Sequence, residues 1–158
     1  MRTFLFVSWL LFPFSAWAAN EIELSNLTVR GTQASGQCGK GQVSIQGVSQ
    51  SHATGQANVI APDGRITVKS SKKTLVVGNT APFFLQDRTM LSCLDTPRGK
   101  RLLVATFCNG SACELVEYQV IDPATSKIAN QQSEEMCLRV CAEKTLGVAV
   151  PAHLRDGL

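Results

Sequence analysis

Residues 101–121 read RLLVATFCNGSACELVEYQVI, and they predict a pair of strands at the centre of the fold. Apart from Arg101 and Thr106, the first seven residues are apolar, and they include β-branched and aromatic side chains, which favour a strand. In the last eight residues apolar and polar side chains alternate, which is the pattern of a second strand with one buried face. An antiparallel hairpin of these strands would place Cys108 and Cys113 opposite each other at its neck. Cross-strand Cβ atoms lie ~4.5–5.5 Å apart, near disulfide range, so we expect these two cysteines to bond.

Outward from this hairpin, turn and strand patterns repeat in both directions. Met90 to Leu94 predicts a strand, joined to the hairpin by the turn sequence DTPRGK. A shorter strand is predicted from Phe83 to Leu85. On the other side, DPATSKI predicts a turn that enters a further strand. The whole region therefore predicts a meander of antiparallel hairpins.

The earlier part of the chain has weaker strand signals separated by turn residues. A first strand with a bulge is predicted over 22–29, followed by a Gly-rich polar loop over 30–42 that holds Cys38. Pro62 to Gly64 predicts a turn, because proline presets φ and glycine accepts a positive φ. Short strands are predicted at Val43–Ile45, Ile66–Val68 and Leu75–Val77.

The last segment has helical spacing. Ser133 is a candidate N-cap, and Gly147 is a candidate stop. Cys137 and Cys141 are four residues apart, so a helix would place them on one face, in poor geometry for bonding each other. We therefore expect them to bond separate partners on the sheet, with Cys38 and Cys93 as candidates. The predicted fold class is mainly β: antiparallel meander sheets, sandwich or blade-like, with a short C-terminal helix and disulfide staples.

The N-terminus has the pattern of an export signal. Arg2 precedes an apolar run from Phe4 to Phe14, and Ala16-Trp17-Ala18 matches a cleavage site. The alternative, a membrane anchor, needs about 20 apolar residues, and this run is shorter. We expect residues 1–19 to be a cleaved signal peptide and residues 20–158 to form a single domain in the periplasm.

Charge and cysteine content narrow the chemistry. The formal net charge of +3 is too balanced to favour nucleic acid or an anionic membrane surface as partner. Six cysteines in an exported chain predict a disulfide framework, although six allow 15 pairings. Zinc is the alternative, but the two histidines, His52 and His153, are far apart in sequence. Because nucleophile elbows, phosphate loops and dinucleotide motifs are absent from the sequence, we predict neither a cofactor nor catalysis.

The stretch GSACELVEYQVIDPATSKI, preceded by FFLQDRTMLSC and RLLVATF, resembles the periplasmic immunity proteins that neutralise type VI secretion amidase effectors. Those effectors are cysteine peptidases that cut peptidoglycan peptides. The resemblance covers residues 82–128 and implies that a serine-bearing loop enters the amidase cleft. The matching positions are Gly110, Ser111 and Ala112, and Cys113 directly before Glu114 departs from the family pattern.

The loop itself favours a binding role. Its residues, Asn109 to Ala112, are small enough to enter a narrow cleft, and a disulfide at the neck would make the tip rigid. The hypothesis is therefore an inhibitor of a peptidoglycan amidase, with no nucleic acid and no membrane insertion, and with homodimerisation left open. Two alternatives remain at this point: an exported thiol enzyme using His52 or His153, and an envelope binding module with no inhibitor role. A free thiol would favour the enzyme.

Overall fold

The structure is a computed structural model. It describes residues 21–22, 28–49, 59–78, 86–108, 116–130 and 137–156. Within these ranges the chain is mainly β, which confirms the predicted fold class. The elements are β1 (Glu21–Ile22), β2 (Thr28–Arg30), β3 (Gln33–Cys38), β4 (Gly41–Ser49), β5 (Val59–Lys69), β6 (Thr74–Gly78), β7 (Gln86–Thr96), β8 (Gly99–Cys108), β9 (Val116–Asp122), β10 (Lys127–Ile128), α1 (Arg139–Leu146) and α2 (Ala152–Asp156). The predicted signal peptide and the predicted strand at 83–85 lie outside the described residues.

The strands pair antiparallel along one path, in the order β10-β9-β8-β7-β5-β4-β3-β2. This path contains two four-stranded runs, which we call the N-terminal half (β2–β5) and the C-terminal half (β7–β10). Strand β6 adds to β5, and β1 adds to β7, beside this path. Because consecutive strands are neighbours within each half, the topology is the predicted meander, and the predicted turn between β7 and β8 is confirmed at Pro97–Arg98.

The predicted turn at Pro62–Gly64 is wrong, because these residues lie inside β5. The register between β4 and β5 shifts here: Val48 pairs with Ile60, whereas Gln46 pairs with Arg65. Proline cannot donate to a ladder, so it is accommodated where the ladder is interrupted. The same residues that would reverse the chain in a free turn instead form an irregularity in the strand. On one side of it β5 pairs with β7, and on the other side with β6.

The predicted loop over 30–42 is also wrong in its main part, because Gln33–Cys38 forms β3. The side chains of Ala34 and Cys38 point into the core, and the polar residues between them are exposed or half-buried. Six register pairs with β4 hold this strand in place. Pairing and burial thus override the low strand propensity of its Gly, Ser and Gln residues.

The two halves pack face to face across an inner core. It contains Ala34, Cys38, Val43, Ile45, Ile66, Val68, Val77, Leu91, Cys93, Leu102, Val104 and Ile121. A disulfide joins Cys38 of β3 to Cys93 of β7, with 5.6 Å between their Cα atoms. Beside this core, Gly41 lets the start of β4 lie close to Pro123, because an added Cβ would clash with the Pro123 carbonyl. The halves are therefore held by apolar burial and by the Cys38–Cys93 disulfide.

The opposite face of the C-terminal half carries the helices. Its outer core contains Met90, Leu94, Leu103, Ala105, Tyr118, Val120, Cys137, Ala142, Leu146, Val150 and Leu154. Helix α1 ends at Gly147 with φ +76°, which confirms the predicted stop. Its predicted start was wrong: α1 begins at Arg139 with Leu138 as N-cap, and Ser133 lies outside the described residues.

The predicted partners of the helix cysteines are wrong. Cys137 and Cys141 bond each other, with 5.3 Å between their Cα atoms, and Cys38 and Cys93 are paired across the inner core. The prediction failed because Cys137 lies before α1. Leu138 has an extended backbone (φ −79°, ψ 178°), so the geometry of two residues on one continuous helix does not apply.

Candidate functional site

The predicted binding residues, Asn109 to Ala112, lie outside the described residues. The described part of the hairpin ends at Cys108 on β8 and starts again at Val116 on β9. Cys113 falls in the gap, so the Cys108–Cys113 bond stays a prediction. What the structure gives is the base from which this connection leaves, which we call the hairpin base.

The strand that leads to the hairpin base, β8, is deeply buried in its middle part. Leu102, Leu103, Val104 and Ala105 are consecutive residues of β8, and none is more than 2% exposed. Leu102 and Val104 pack in the inner core, whereas Leu103 and Ala105 pack in the outer core. β8 is paired on both sides, with β7 and with β9. The 109–115 connection therefore follows a strand that is bonded at both edges and buried on both faces over residues 102–105, whereas Thr106 and Phe107 nearer the connection are half-buried.

The outer edge of β9 is closed by a side chain. The Val120 N–H donates to Asn130 Oδ1 at 2.8 Å, and Asn130 Nδ2 donates to the Tyr118 carbonyl at 2.9 Å. Next to this contact, the Tyr118 N–H donates to the Cys137 carbonyl at 2.9 Å. The Asn130 amide thus takes the place of a peptide group in a neighbouring strand, and β9 does not present these groups as an open edge.

A polar stripe runs from the inner core towards the connection. Glu117 and Gln119 lie on the face of β9 that also carries buried Ile121, and Thr106 of β8 is the register partner of Glu117. Partial burial disfavours the charged form and raises the pKa of Glu117 above the ordinary glutamate value. Among the described residues, Gln119 Oε1 is buried without a hydrogen-bond partner.

The sequence contained a signal for part of this site and none for the rest. The alternation in ELVEYQVI already placed Glu117 and Gln119 on the face opposite Tyr118, although it did not show that this face is half-buried. Asn130 was missed because its role depends on the distance between its amide and β9, and no local pattern encodes that distance. Nothing in local spacing distinguishes it from a polar loop residue.

The described residues offer few groups for catalysis. Cys38, Cys93, Cys137 and Cys141 are all in disulfides, so none of these four presents a thiolate. His153 lies in α2 and is half-buried, and His52 is outside the described ranges. Over the part of the chain that the structure covers, no cluster of three or more His, Cys, Asp or Glu side chains is arranged to bind a metal ion.

Two further observations bear on the class of protein. Within the described ranges, neither helix has the length and apolar character that crossing a bilayer requires. The two disulfides are compatible with an oxidising compartment. Comparisons with protein-family models, with curated proteins and with solved structures found no match to this chain.

Proposed function

We propose that the chain is a periplasmic immunity protein that binds and blocks the active site of a peptidoglycan amidase delivered by type VI secretion. The observation that carries this proposal is the burial of residues 102–105 on both faces of β8, the strand that leads into the connection bearing Asn109 to Ala112. In this proposal the chain acts by stoichiometric blockade and performs no catalysis of its own.

The hairpin base supports an inhibitory loop for an energetic reason. Ordering a loop on binding costs free energy, and a loop held in its bound shape beforehand avoids much of that cost. Both ends of the 109–115 connection leave from paired strands, with Phe107 opposite Val116 as the last register pair. A Cys108–Cys113 bond would restrict the tip further, so its loss should weaken binding.

The residues of the tip have the size and chemistry of a plug for a narrow cleft. Gly110 allows dihedral angles that other residues avoid, and Ala112 adds only one methyl group. The Ser111 hydroxyl can both donate and accept a hydrogen bond, so it can pair with either member of a catalytic Cys–His pair. The proposed contact is therefore main chain and hydroxyl against a cysteine peptidase active site.

The proposal is tested by enlarging the tip. Ser111→Trp should clash with the walls of the cleft and weaken binding to the purified cognate amidase. A central contact of this kind typically costs 2 kcal/mol or more, which is about 30-fold in affinity. The measurement is calorimetric titration together with inhibition of peptidoglycan cleavage.

Ser71→Trp is the matched control, because Ser71 is an exposed serine in the turn between β5 and β6. It should leave affinity unchanged, and both variants should keep the melting temperature of the parent chain. Full inhibition by a folded Ser111→Trp variant would remove the tip from the mechanism. If the parent chain neither binds nor inhibits the amidase, the remaining hypothesis is an envelope binding module with no inhibitor role.

A further inference from the structure

The two disulfides that the structure describes differ in their access from solvent. Cys38 and Cys93 are 0% and 3% exposed, in the inner core between the two halves. Cys141 is half-buried and bonds Cys137 at the start of α1, where the intervening residues 138–140 are all exposed. A thiolate from solvent therefore has an approach to the Cys137–Cys141 bond that it lacks at the inner-core bond.

The two bonds also differ in how strongly the fold holds them. Cys38 and Cys93 are 55 residues apart in sequence, whereas Cys137 and Cys141 are four apart. A bond that closes a long loop stabilises the folded state more, and by linkage the folded state then stabilises that bond more against reduction. The Cys137–Cys141 bond receives less of this support. Its reduction also leaves the covalent link between the two halves in place.

The start of α1 suits the thiolate that reduction releases. Cys141 is the third residue of this helix, and the first turn of a helix carries a partial positive charge that favours a thiolate. Leu138 at the N-cap makes no side-chain capping hydrogen bond, so it does not compete with sulfur for the N–H groups of the first turn. The first turn contains no acidic residue, and exposed Arg139 adds a positive charge.

We propose that Cys137–Cys141 is a redox-active disulfide that exchanges with a dithiol, whereas Cys38–Cys93 is a structural bond that does not exchange in the folded protein. In the first step a thiolate of the dithiol attacks Cys141 Sγ, the S–S bond breaks, and Cys137 leaves as a thiolate that takes up a proton. In the second step the other sulfur of the dithiol, as a thiolate, attacks its own mixed-disulfide sulfur and releases Cys141. The dithiol is oxidised by two electrons to a disulfide, and the chain gains two thiols.

The four-residue spacing favours a dithiol over a single thiol as the reductant. After the first step Cys137 stays near the mixed disulfide, because its carbonyl accepts a hydrogen bond from the Tyr118 N–H at 2.9 Å. Its thiolate attacks Cys141 Sγ again and expels a single thiol before a second molecule arrives, since the reaction within one chain has a high effective concentration. A dithiol carries its own second sulfur, so it completes the reduction.

The test is stepwise reduction of the folded full chain with dithiothreitol, followed by alkylation and peptide mapping. Cys137 and Cys141 should be alkylated at a reductant concentration about 10-fold or more below the one that Cys38 and Cys93 require. Denaturant is the control, because unfolding should abolish this order. Release of all four thiols in one step from the folded chain, or earlier reduction of Cys38–Cys93, would overturn the inference.

Glutathione, a single thiol, distinguishes the two kinds of reductant. At equal thiol concentration it should release far fewer Cys137 and Cys141 thiols than dithiothreitol does. Equal release by both reagents would refute the preference for a dithiol. With oxidised glutathione, Cys137→Ser should form a mixed disulfide on Cys141 faster than Cys141→Ser forms one on Cys137, which is only 6% exposed. The reverse order would refute Cys141 as the attacked sulfur.

Arg139→Gln tests the contribution of charge at the start of α1. Removing this cation destabilises the thiolate of the reduced form, so the equilibrium should shift towards the Cys137–Cys141 disulfide by about 2-fold at low salt. Lys144→Gln is the matched control, because Lys144 is an exposed cation in the last turn of the same helix. It should leave the equilibrium unchanged. Equal values for both variants would refute the role of the helix start.

Discussion

The Asn130 side chain shows how one residue closes an edge that a strand would otherwise close. Its amide offers one acceptor and one donor, which is the set that a peptide group offers to a neighbouring strand. Both are used, towards Val120 and Tyr118. Ala129 adds a further backbone bond to the Val120 carbonyl at 2.7 Å. Asn130 thus extends the cover of β9 beyond the two residues of β10.

Asn130→Ala should destabilise the protein by about 1–2 kcal/mol, because a part-buried N–H and a part-buried carbonyl lose their partners. The measurement is urea unfolding, in which the midpoint falls and the slope stays constant. Gln42→Ala is the control, since Gln42 is an exposed amide on β4. Equal midpoints for Asn130→Ala and the parent chain would show that water replaces the amide without cost.

Glu117 should make stability depend on pH. Its pKa is raised in the folded protein by burial, so the folded state holds the proton more tightly than the unfolded state does. That contribution to stability is fully present below the unfolded pKa, about 4.3, and is lost as pH rises through the folded pKa. Glu117→Gln lacks this loss. The melting temperature of the variant, measured relative to that of the parent, should therefore increase as pH rises from 4 to 7. Parallel plots of melting temperature against pH would contradict the raised pKa of Glu117.

Strands β3 and β5 show how an element can form against its local signals. The Gly, Ser and Gln residues of β3 resemble a loop, but β4 pairs with it along its whole length. In β5, Pro62 to Gly64 resemble a turn, but pairing with β4 resumes on both sides of the register shift. In both strands the buried positions, such as Cys38 and Ile66, contribute more than the weak propensity of the residues between them.

Over the part of the chain that the structure describes, two apolar cores and two disulfides hold the fold together, and the disulfides close loops of very different length. Cys38–Cys93 spans 55 residues of sequence and links the two halves, whereas Cys137–Cys141 spans four and restricts one loop. In the chain-entropy account, the first should stabilise by about 4 kcal/mol and the second by about 2 kcal/mol. The longer link therefore stabilises the packing of the two halves, and the shorter one mainly restricts the backbone at the start of α1.

Removing each bond as a pair of serines should separate these roles. Cys38→Ser/Cys93→Ser should lower the free energy of unfolding by clearly more than Cys137→Ser/Cys141→Ser does. Chemical unfolding of both variants provides the comparison, and each variant serves as the control for the other. If the two variants lose equal free energy of unfolding, or if Cys137→Ser/Cys141→Ser loses more, the roles given to the two bonds are contradicted.

The sequence by itself determined the mainly β class, the strands β8 and β9, the turn between β7 and β8 and the end of α1 at Gly147. These features follow from local causes: side-chain alternation, β-branched residues, turn residues and a glycine with positive φ. Only the tertiary structure decided β3, the course of β5, the start of α1 and the pairing of four cysteines. Their physical cause is burial and pairing between residues distant in sequence. The cysteine partners show this most directly, because Cys38 and Cys93 meet only when the two halves pack together.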